Sequence, residues 1–330
     1  LAAVVLMSYL RDTVKNEGDY TKKIGEKLVG SVVHATRNLT LRDRLMTAMG
    51  RSKAGKRALM IRSDSGGFLY TENFQKIATK LEYMRRSMDK KVFMFTSVAE
   101  NEGKSTVTSN LALSLAERGN RVLLMDFDFR KPALYKIFEV DVPRETELGE
   151  LLSGKLDVRE FRFLQYRQSP LFLAINRHAY FDYADWMASP DVRAKLDLFR
   201  NMFDYILIDT PPVYAAPDVV SMTSLADVTM LVLRTDVAEA ADVNDTILEI
   251  RAHKGHFGGC ILNDVHREFG LFGQTGSDES GYYKKNYGYG YGRYGKYGRY
   301  GKYGRYGNYG RYGAYDRFDR FGGDSDSGDR

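Results

Sequence analysis

A short polar loop containing one lysine lies between an apolar strand and an amphipathic helix. It occupies residues 96–106 and reads TSVAENEGKST. The backbone N–H groups of such a loop, together with the N-terminus of the following helix, bind phosphate oxygens. Lys104 is expected to contact the β- and γ-phosphates of ATP, and Ser105 is expected to bind Mg²⁺. The predicted nucleotide contacts in this loop are Asn101, Glu102, Gly103, Lys104, Ser105 and Thr106.

The loop departs from the phosphate-loop consensus at one glycine. Val98 stands five residues before Gly103, where the consensus has glycine. Asn101 is expected to compensate, because asparagine is the residue other than glycine that best adopts positive φ. Glu100 and Glu102 add negative charge, which would lower the affinity for ATP if both faced the phosphates.

Three carboxylates follow apolar runs of the strand type. Asp126 and Asp128 come after the run 122–125, and Asp209 ends the run 205–208. Ligands of open α/β sheets bind at the carboxyl ends of the strands, so these acids are expected to meet the phosphate loop. Asp126 is the first candidate for a catalytic base, with Asp128 as the alternative. The predicted catalytic set is Lys104, Asp126, Asp128 and Asp209, and the predicted metal ligands are Ser105, Asp126 and Asp209.

Hydrophobic periodicity indicates the elements that position these residues. Apolar residues at 74, 77, 81, 84 and 88 have helical spacing, and short buried strands are predicted at 92–95, 122–125, 205–208, 228–233 and 260–262. Continuous apolar strands separated by helices are typical of a parallel sheet covered on both faces. We therefore predict an α/β fold of the P-loop NTPase type, with a mostly parallel central sheet, in a domain spanning residues 69–281.

The beginning of the chain is apolar and then basic. Residues 1–10 are largely apolar, and residues 1–62 carry 13 Lys and Arg against 5 Asp and Glu. This pattern indicates the end of a transmembrane helix and a membrane-exit segment at 1–37, with a buried N-terminal helix as the alternative. Residues 38–68 are predicted to form a basic juxtamembrane linker that either rests on anionic lipid or is simply solvated.

The last region, 282–330, is rich in tyrosine and glycine. It contains no Leu, Ile, Val or Met, so we predict a disordered tail. Its 11 Lys and Arg exceed its 5 Asp and Glu, and the net charge of the whole chain is +6. Basic ends on an acidic middle do not indicate a nucleic-acid-binding domain. The tail tyrosines are Tyr282, Tyr283, Tyr287, Tyr289, Tyr291, Tyr294, Tyr297, Tyr300, Tyr303, Tyr306, Tyr309, Tyr312 and Tyr315.

Three motifs together resemble the bacterial tyrosine kinases of polysaccharide synthesis. They are the phosphate loop, DFDFRKP at 126–132 and IDTPP at 208–212. The resemblance implies ATP-dependent autophosphorylation of the tail tyrosines with Mg²⁺. It also implies that Asp126 and Asp128 form a second Walker-type motif and that Asp209 is the Walker B acid. Asn263 lies where related folds contact adenine.

The chain departs from this family at two places. Glu100-Asn101 replaces the usual Pro-Gly of the loop. After Glu72, Gln75 and Ala78 replace the two arginines of the helix that forms the family's ring, so a weak ring or none is expected.

The resemblance also implies partners and a location. Expected partners are the tail of the same or a neighbouring molecule, a transmembrane and extracytoplasmic adaptor portion, a tyrosine phosphatase, polysaccharide enzymes and the membrane surface, with no nucleic acid. The expected location is the cytoplasmic face of the bacterial plasma membrane. Two alternatives stay open: a P-loop ATPase switch that phosphorylates no protein, and a catalytically inactive regulator of polysaccharide chain length.

Overall fold

A computed structural model describes residues 12–34, 60–61, 67–253 and 255–266. The predicted end of a transmembrane helix at 1–11, nearly all of the predicted linker and the whole tail with its thirteen tyrosines lie outside the described residues. Those three assignments stay predictions. In the part of the chain that the structure describes, no helix is both long and apolar enough to cross a membrane.

Eight strands form one sheet in the described residues. They are β1 (Leu28–Val33), β2 (Val92–Ser97), β3 (Val122–Asp126), β4 (Leu164–Gln165), β5 (Leu171–Ala174), β6 (Tyr205–Asp209), β7 (Val228–Arg234) and β8 (Phe257–Val265). The spatial order is β1-β8-β7-β2-β6-β3-β5-β4. Neighbouring strands run parallel except for the short antiparallel pair of β4 and β5.

Helices flank this sheet. They are α1 (Glu17–Lys23), α2 (Gly67–Met88), α3 (Lys104–Glu117), α4 (Leu134–Phe138), α5 (Leu148–Leu152), α6 (Tyr183–Ala188), α7 (Pro190–Met202), α8 (Val219–Met222) and α9 (Ala240–Ala252). A single 3₁₀ turn at Arg144–Thr146 precedes α5, and another at Thr223–Leu225 follows α8.

The central strands are buried on both faces, as their apolar runs predicted. Phe93 and Phe95 of β2 pack in one hydrophobic cluster with residues of α2 and α3. Val92 and Met94, which alternate with them, pack in a second cluster with residues of α5, α7 and α8. Successive strand residues point to opposite faces, so a strand between two helical layers needs apolar residues throughout. The predicted α/β fold is confirmed.

The sheet also includes residues that the sequence analysis placed before the domain. β1 pairs in parallel with β8, with Leu28 opposite Cys260. Gly30 of this strand packs so closely on α2 that a Cβ there would lie 2.6 Å from the Ile77 side chain. The strand was missed because an edge strand with intermediate burial and a glycine lacks the continuous apolar run of the central strands. The folded body therefore includes residues 17–33, which the sequence analysis had assigned to the membrane-exit segment.

Candidate active site

Strand pairing brings the predicted acidic residues to one edge of the sheet. β6 lies between β2 and β3, with Asp209 opposite Phe95 on one side and opposite Asp126 on the other. The backbone N–H of Phe127 donates a hydrogen bond of 2.7 Å to the carbonyl of Asp209. The two strand-ending carboxylates are therefore neighbours, directly beside the loop that follows β2.

The phosphate loop closes through two residues with left-handed backbone. Asn101 has φ of 67° and Gly103 has φ of 83°. The left-handed conformation expected of Asn101 is thus observed. Gly103 is also required for space, because a Cβ there would lie 2.2 Å from Nδ2 of Asn263. That amide donates a 2.9 Å hydrogen bond to the carbonyl of Glu102, so Asn263 holds the loop from strand β8, which lies two strands from β2 in the sheet.

The side chain of Lys104 is buried in an ion pair with Asp209. Its Nζ lies 2.8 Å from Oδ1 of Asp209 and 3.0 Å from the hydroxyl of Ser105. Thr108, one turn further along α3, places Oγ1 at 3.4 Å from the same carboxylate oxygen. The predicted lysine, hydroxyl and acid therefore form one contiguous group at the start of α3.

The oxygen atoms of this group fit a magnesium ion. Oδ2 of Asp209 is buried and has no hydrogen-bond partner among the described residues. A buried carboxylate oxygen without a partner is costly, and a metal ion with its bound water would satisfy it. Ser105 and Asp126 supply further oxygen atoms, which are the ligands that Mg²⁺ prefers.

Asp126 and Asp128 differ in accessibility. Asp126 is fully buried, and its Oδ1 accepts a hydrogen bond of 3.1 Å from the backbone N–H of Asp128. Burial, reinforced by the charges of Asp209 and Asp128, raises the pKa of Asp126 well above its usual range. Burial also raises the pKa of Asp128, although Lys104 opposes this shift. Asp128 is partly exposed, so its carboxylate is the more accessible of the two.

The carboxylates of the two loop glutamates make contacts within the protein. Glu102 is buried, and its Oε2 accepts a 2.9 Å hydrogen bond from the backbone N–H of Ala99. Oε1 of Glu100 lies 2.6 Å from Nζ of the exposed Lys131. The expectation that these carboxylates lower the affinity for ATP if they face the phosphates stays a prediction.

Glu102→Gln is expected to stabilise the protein against unfolding above pH 7, measured without added nucleotide. Burial raises the pKa of Glu102 from 4.5 to about 7, with partial opposition from backbone hydrogen bonds. The stability linked to its protonation is complete below the unfolded-state pKa and is lost as the pH rises through 7. Glutamine cannot ionise, so the variant should gain up to roughly 3 kcal/mol over the wild type at high pH.

Melting temperatures measured between pH 5.5 and 8.5 test this expectation. The difference between variant and wild type should widen with pH. Glu100→Gln changes an exposed carboxylate of the same loop and should show no such widening. A difference for Glu102→Gln that stays constant over the whole range would contradict the buried, proton-binding role.

Several residues that support the site were not predicted. Thr108 could have been found, since it lies four residues after Lys104 on the same face of a helix. Nη1 of Arg234 donates a 3.4 Å hydrogen bond to the carbonyl of Asn101. The side-chain amide of Asn176 donates a 3.0 Å hydrogen bond to the carbonyl of Asp126. No motif marks Arg234 or Asn176, because each reaches the site only through strand pairing.

Comparison with known proteins agrees with this geometry. Residues 96–252 match the AAA domain family. EpsB of Ralstonia solanacearum is 28% identical over 223 residues, which cover 68% of this chain and 28% of EpsB. The tyrosine-protein kinase CpsD of Streptococcus agalactiae is 27% identical over 215 residues, covering 62% of this chain and 88% of CpsD.

The fold is also that of a solved kinase domain. The kinase domain of the Escherichia coli tyrosine kinase ETK superposes with a TM-score of 0.65 at 20% identity, covering 79% of this chain and 99% of that domain. The resemblance to bacterial tyrosine kinases is therefore confirmed in sequence and in fold. The chain spans only 28% of the length of the first relatives that it matches.

Proposed function

We propose that this chain is an ATP-dependent protein-tyrosine kinase that phosphorylates the tyrosines of its own tail and regulates polysaccharide synthesis or export. The observation that supports it most is the cluster of Lys104, Asp209 and Asp126 beside a closed phosphate loop. The second support is the tail, because thirteen tyrosines beside basic residues have no use in an ATPase that modifies no protein.

Lys104 and the loop bind the phosphates in this proposal. The backbone N–H groups around Gly103 and the N-terminus of α3 attract the phosphate oxygens, and Lys104 leaves Asp209 to pair with them. Ser105, Asp209 and Asp126 would hold Mg²⁺, which would neutralise charge on the transferred phosphate. Movement of Lys104 onto the phosphates would leave Oδ1 of Asp209 available in addition to Oδ2.

The acceptor hydroxyl needs a proton acceptor. A tyrosine hydroxyl has a pKa near 10 and is protonated at neutral pH. Asp126 and Asp128 are the available bases, and their raised pKa values make them stronger bases than exposed aspartates. Asp126 is our first choice because it lies beside Asp209 in register, while Asp128 is the alternative because it is more accessible. Contact of Asn263 with adenine remains part of the proposal.

The location and partners follow from the same proposal. The chain acts at the cytoplasmic face of the plasma membrane, joined to a transmembrane and extracytoplasmic adaptor portion. It phosphorylates its own tail or that of a neighbouring molecule, and a tyrosine phosphatase reverses the reaction. The basic segment at 38–68 contacts the membrane surface.

Incubation of the purified full chain with Mg²⁺ and ATP separates this function from its two alternatives. A kinase yields phosphotyrosine that a specific antibody detects. An ATPase switch releases inorganic phosphate without phosphotyrosine, and an inactive regulator does neither. Only the first result supports the proposal.

Deletion of all residues after Gly281 is expected to leave ATP binding intact. The last described strand ends at Val265, and no loop or carboxylate residue of the site lies after Asn263. The truncated protein should bind ATP with the affinity of the full chain and should phosphorylate an added tyrosine peptide. Fluorescent-nucleotide titration checks this, and complete loss of binding would show that the tail is part of the site.

The detached cytoplasmic part is expected to form a weak ring or none. Ala78 is a buried residue of α2, and both the carbonyl and Oε1 of Gln75 accept hydrogen bonds from Arg118, at 2.6 and 2.9 Å. These two positions are engaged within the molecule and offer no cation to a neighbour. Light scattering at low micromolar concentration should show small species, and a stable octamer would contradict the expectation.

A further inference from the structure

Two histidines and one aspartate meet where β1 and β8 end, on the side of the sheet away from β3. His34 directly follows β1, Asp264 belongs to β8, and His266 follows β8. One nitrogen or oxygen atom of each lies within 4.8 Å of the corresponding atom of the other two. The residue types considered are histidine, cysteine, aspartate and glutamate. Among the residues that the structure describes, this is the one group in which three or more of these side chains lie close enough to share a metal ion.

The backbone brings the three residues together. Val33 pairs with Val265 in the register of the two strands, and the N–H of His34 donates a 2.9 Å hydrogen bond to the carbonyl of Val265. Nδ1 of His34 lies 2.5 Å from Oδ1 of Asp264. The rings of His34 and His266 stack with their centroids 4.3 Å apart. The cluster therefore does not depend on a chance approach of long surface side chains.

Two neighbouring residues hold Asp264 in place. Nε of Arg234 lies 2.8 Å from Oδ2 of Asp264, and the hydroxyl of Thr235 donates a 2.6 Å hydrogen bond to the carbonyl of Asp264. Asp264 also has left-handed backbone, with φ of 64°, which is uncommon for a residue other than glycine. Arg234 occupies one carboxylate oxygen, while the other is directed at the two imidazoles. Metal-binding carboxylates are commonly held by such outer hydrogen bonds.

We propose that His34, Asp264 and His266 bind one divalent transition-metal ion of the zinc type. Two imidazole nitrogens and one carboxylate oxygen are a ligand set that suits Zn²⁺, with water at a fourth position. Mg²⁺ prefers oxygen ligands only, so the ion that accompanies ATP does not compete for this site. None of the three residues belongs to the group assigned above to ATP and Mg²⁺.

Small movements of the side chains complete the site. Bonds of about 2.0–2.1 Å to a tetrahedral ion place the ligand atoms roughly 3.3 Å apart. The His34–Asp264 contact has to open slightly, and His266 has to approach. Both histidines are exposed at the surface, so their rings have room to adjust. The competing interpretation is a hydrogen bond with a stacked ring and no ion.

A bound ion would link the residues that directly follow the ends of β1 and β8. His34 is the residue directly before 35–59, and His266 is the residue directly before 267–330, which contains the tyrosine-rich tail. A bound ion would therefore connect His34 with His266. This connection would add to the strand pairing at the residues that precede the basic segment and the tail. This inference does not depend on the kinase activity.

Metal titration of the full chain, prepared without a polyhistidine tag and freed of metal with a chelator, tests the site. Zn²⁺ is added without nucleotide in a calorimeter, and Co²⁺ is followed by visible absorption as a reporter of nitrogen ligation. We expect one high-affinity ion per chain. His34→Ala and His266→Ala should each weaken Zn²⁺ affinity at least tenfold and should abolish the rise in melting temperature that Zn²⁺ produces.

Two controls separate this site from other metal-binding groups. His253→Ala removes an exposed histidine beyond the end of α9, and Asp128→Asn removes a carboxylate of the ATP site. Both variants should retain the high-affinity ion. The proposal is overturned if the wild type takes up no Zn²⁺ at micromolar concentration. It is also overturned if the His34 and His266 variants, shown to be folded by circular dichroism, bind Zn²⁺ as the wild type does.

Discussion

Lys104→Met is expected to reduce phosphotyrosine formation at least about 10²-fold, because the transferred phosphate loses its cation. The structure adds a consequence for stability. Lys104 and Asp209 are both buried and paired at 2.8 Å, so the single variant leaves the carboxylate of Asp209 without a counter-charge. Removing one partner of a buried ion pair costs about 3–5 kcal/mol of the free energy of unfolding. The variant should therefore melt at a lower temperature than the wild type.

A second substitution separates the loss of activity from the loss of stability. In Lys104→Met combined with Asp209→Asn, neither position of the pair is left as an unpaired buried charge, so the melting temperature should recover, at least in part, while activity stays absent. Lys155→Met, which changes an exposed lysine after α5, is the matched control and should behave as the wild type. Wild-type rates of tail phosphorylation in a folded Lys104→Met protein would show that this loop is not the catalytic site.

Asp126→Asn is expected to stabilise the protein while reducing tyrosine phosphorylation about 10²- to 10⁴-fold. The fully buried carboxyl of Asp126 has a pKa raised by burial and by the neighbouring Asp209 and Asp128. A raised folded-state pKa means that the stability linked to protonation is complete at low pH and is lost as the pH rises through that pKa. Asparagine keeps the shape without the charge. The melting temperature of the Asp126→Asn variant, measured without nucleotide, should exceed that of the wild type by a margin that grows with pH.

The paired variant Asp128→Asn identifies the base. Asp128 is partly exposed and has a smaller desolvation cost, so its substitution should change the melting temperature less. If Asp126 is the base, Asp128→Asn retains more activity than Asp126→Asn when rates are compared at saturating ATP. Undiminished activity of Asp126→Asn, or a melting temperature below that of the wild type at every pH, would contradict the account of Asp126.

The central part of the fold was predictable because it depends on local patterns. The apolar runs at β2, β3, β6 and β7 are each continuous within their own short segment. The runs at β3 and β6 lead directly into Asp126 and Asp209, and the run at β2 leads into the glycine-containing loop before α3. Lys104, Asp126 and Asp209 were found for that reason. The closure of the loop by Asn101 also follows from the backbone preference of one residue type.

Long-range pairing was not predictable in the same way. β1 is half-buried and pairs with a strand more than 200 residues later, so no pattern within its own segment reveals it. The inward direction of Glu102 depends on the enclosed shape of the loop, which residue types alone do not define. The meeting of His34 with Asp264 and His266 likewise exists only because β1 and β8 are neighbours.

Mass-spectrometric mapping of phosphate on the full chain after incubation with Mg²⁺ and ATP tests the central claim most directly. The Lys104→Met with Asp209→Asn double variant serves as the inactive, folded control. The account predicts phosphate on several tyrosines between Tyr282 and Tyr315 in the wild type and on none in the control. Consumption of ATP without phosphate on any tyrosine, or equal tail phosphorylation in both proteins, would contradict it.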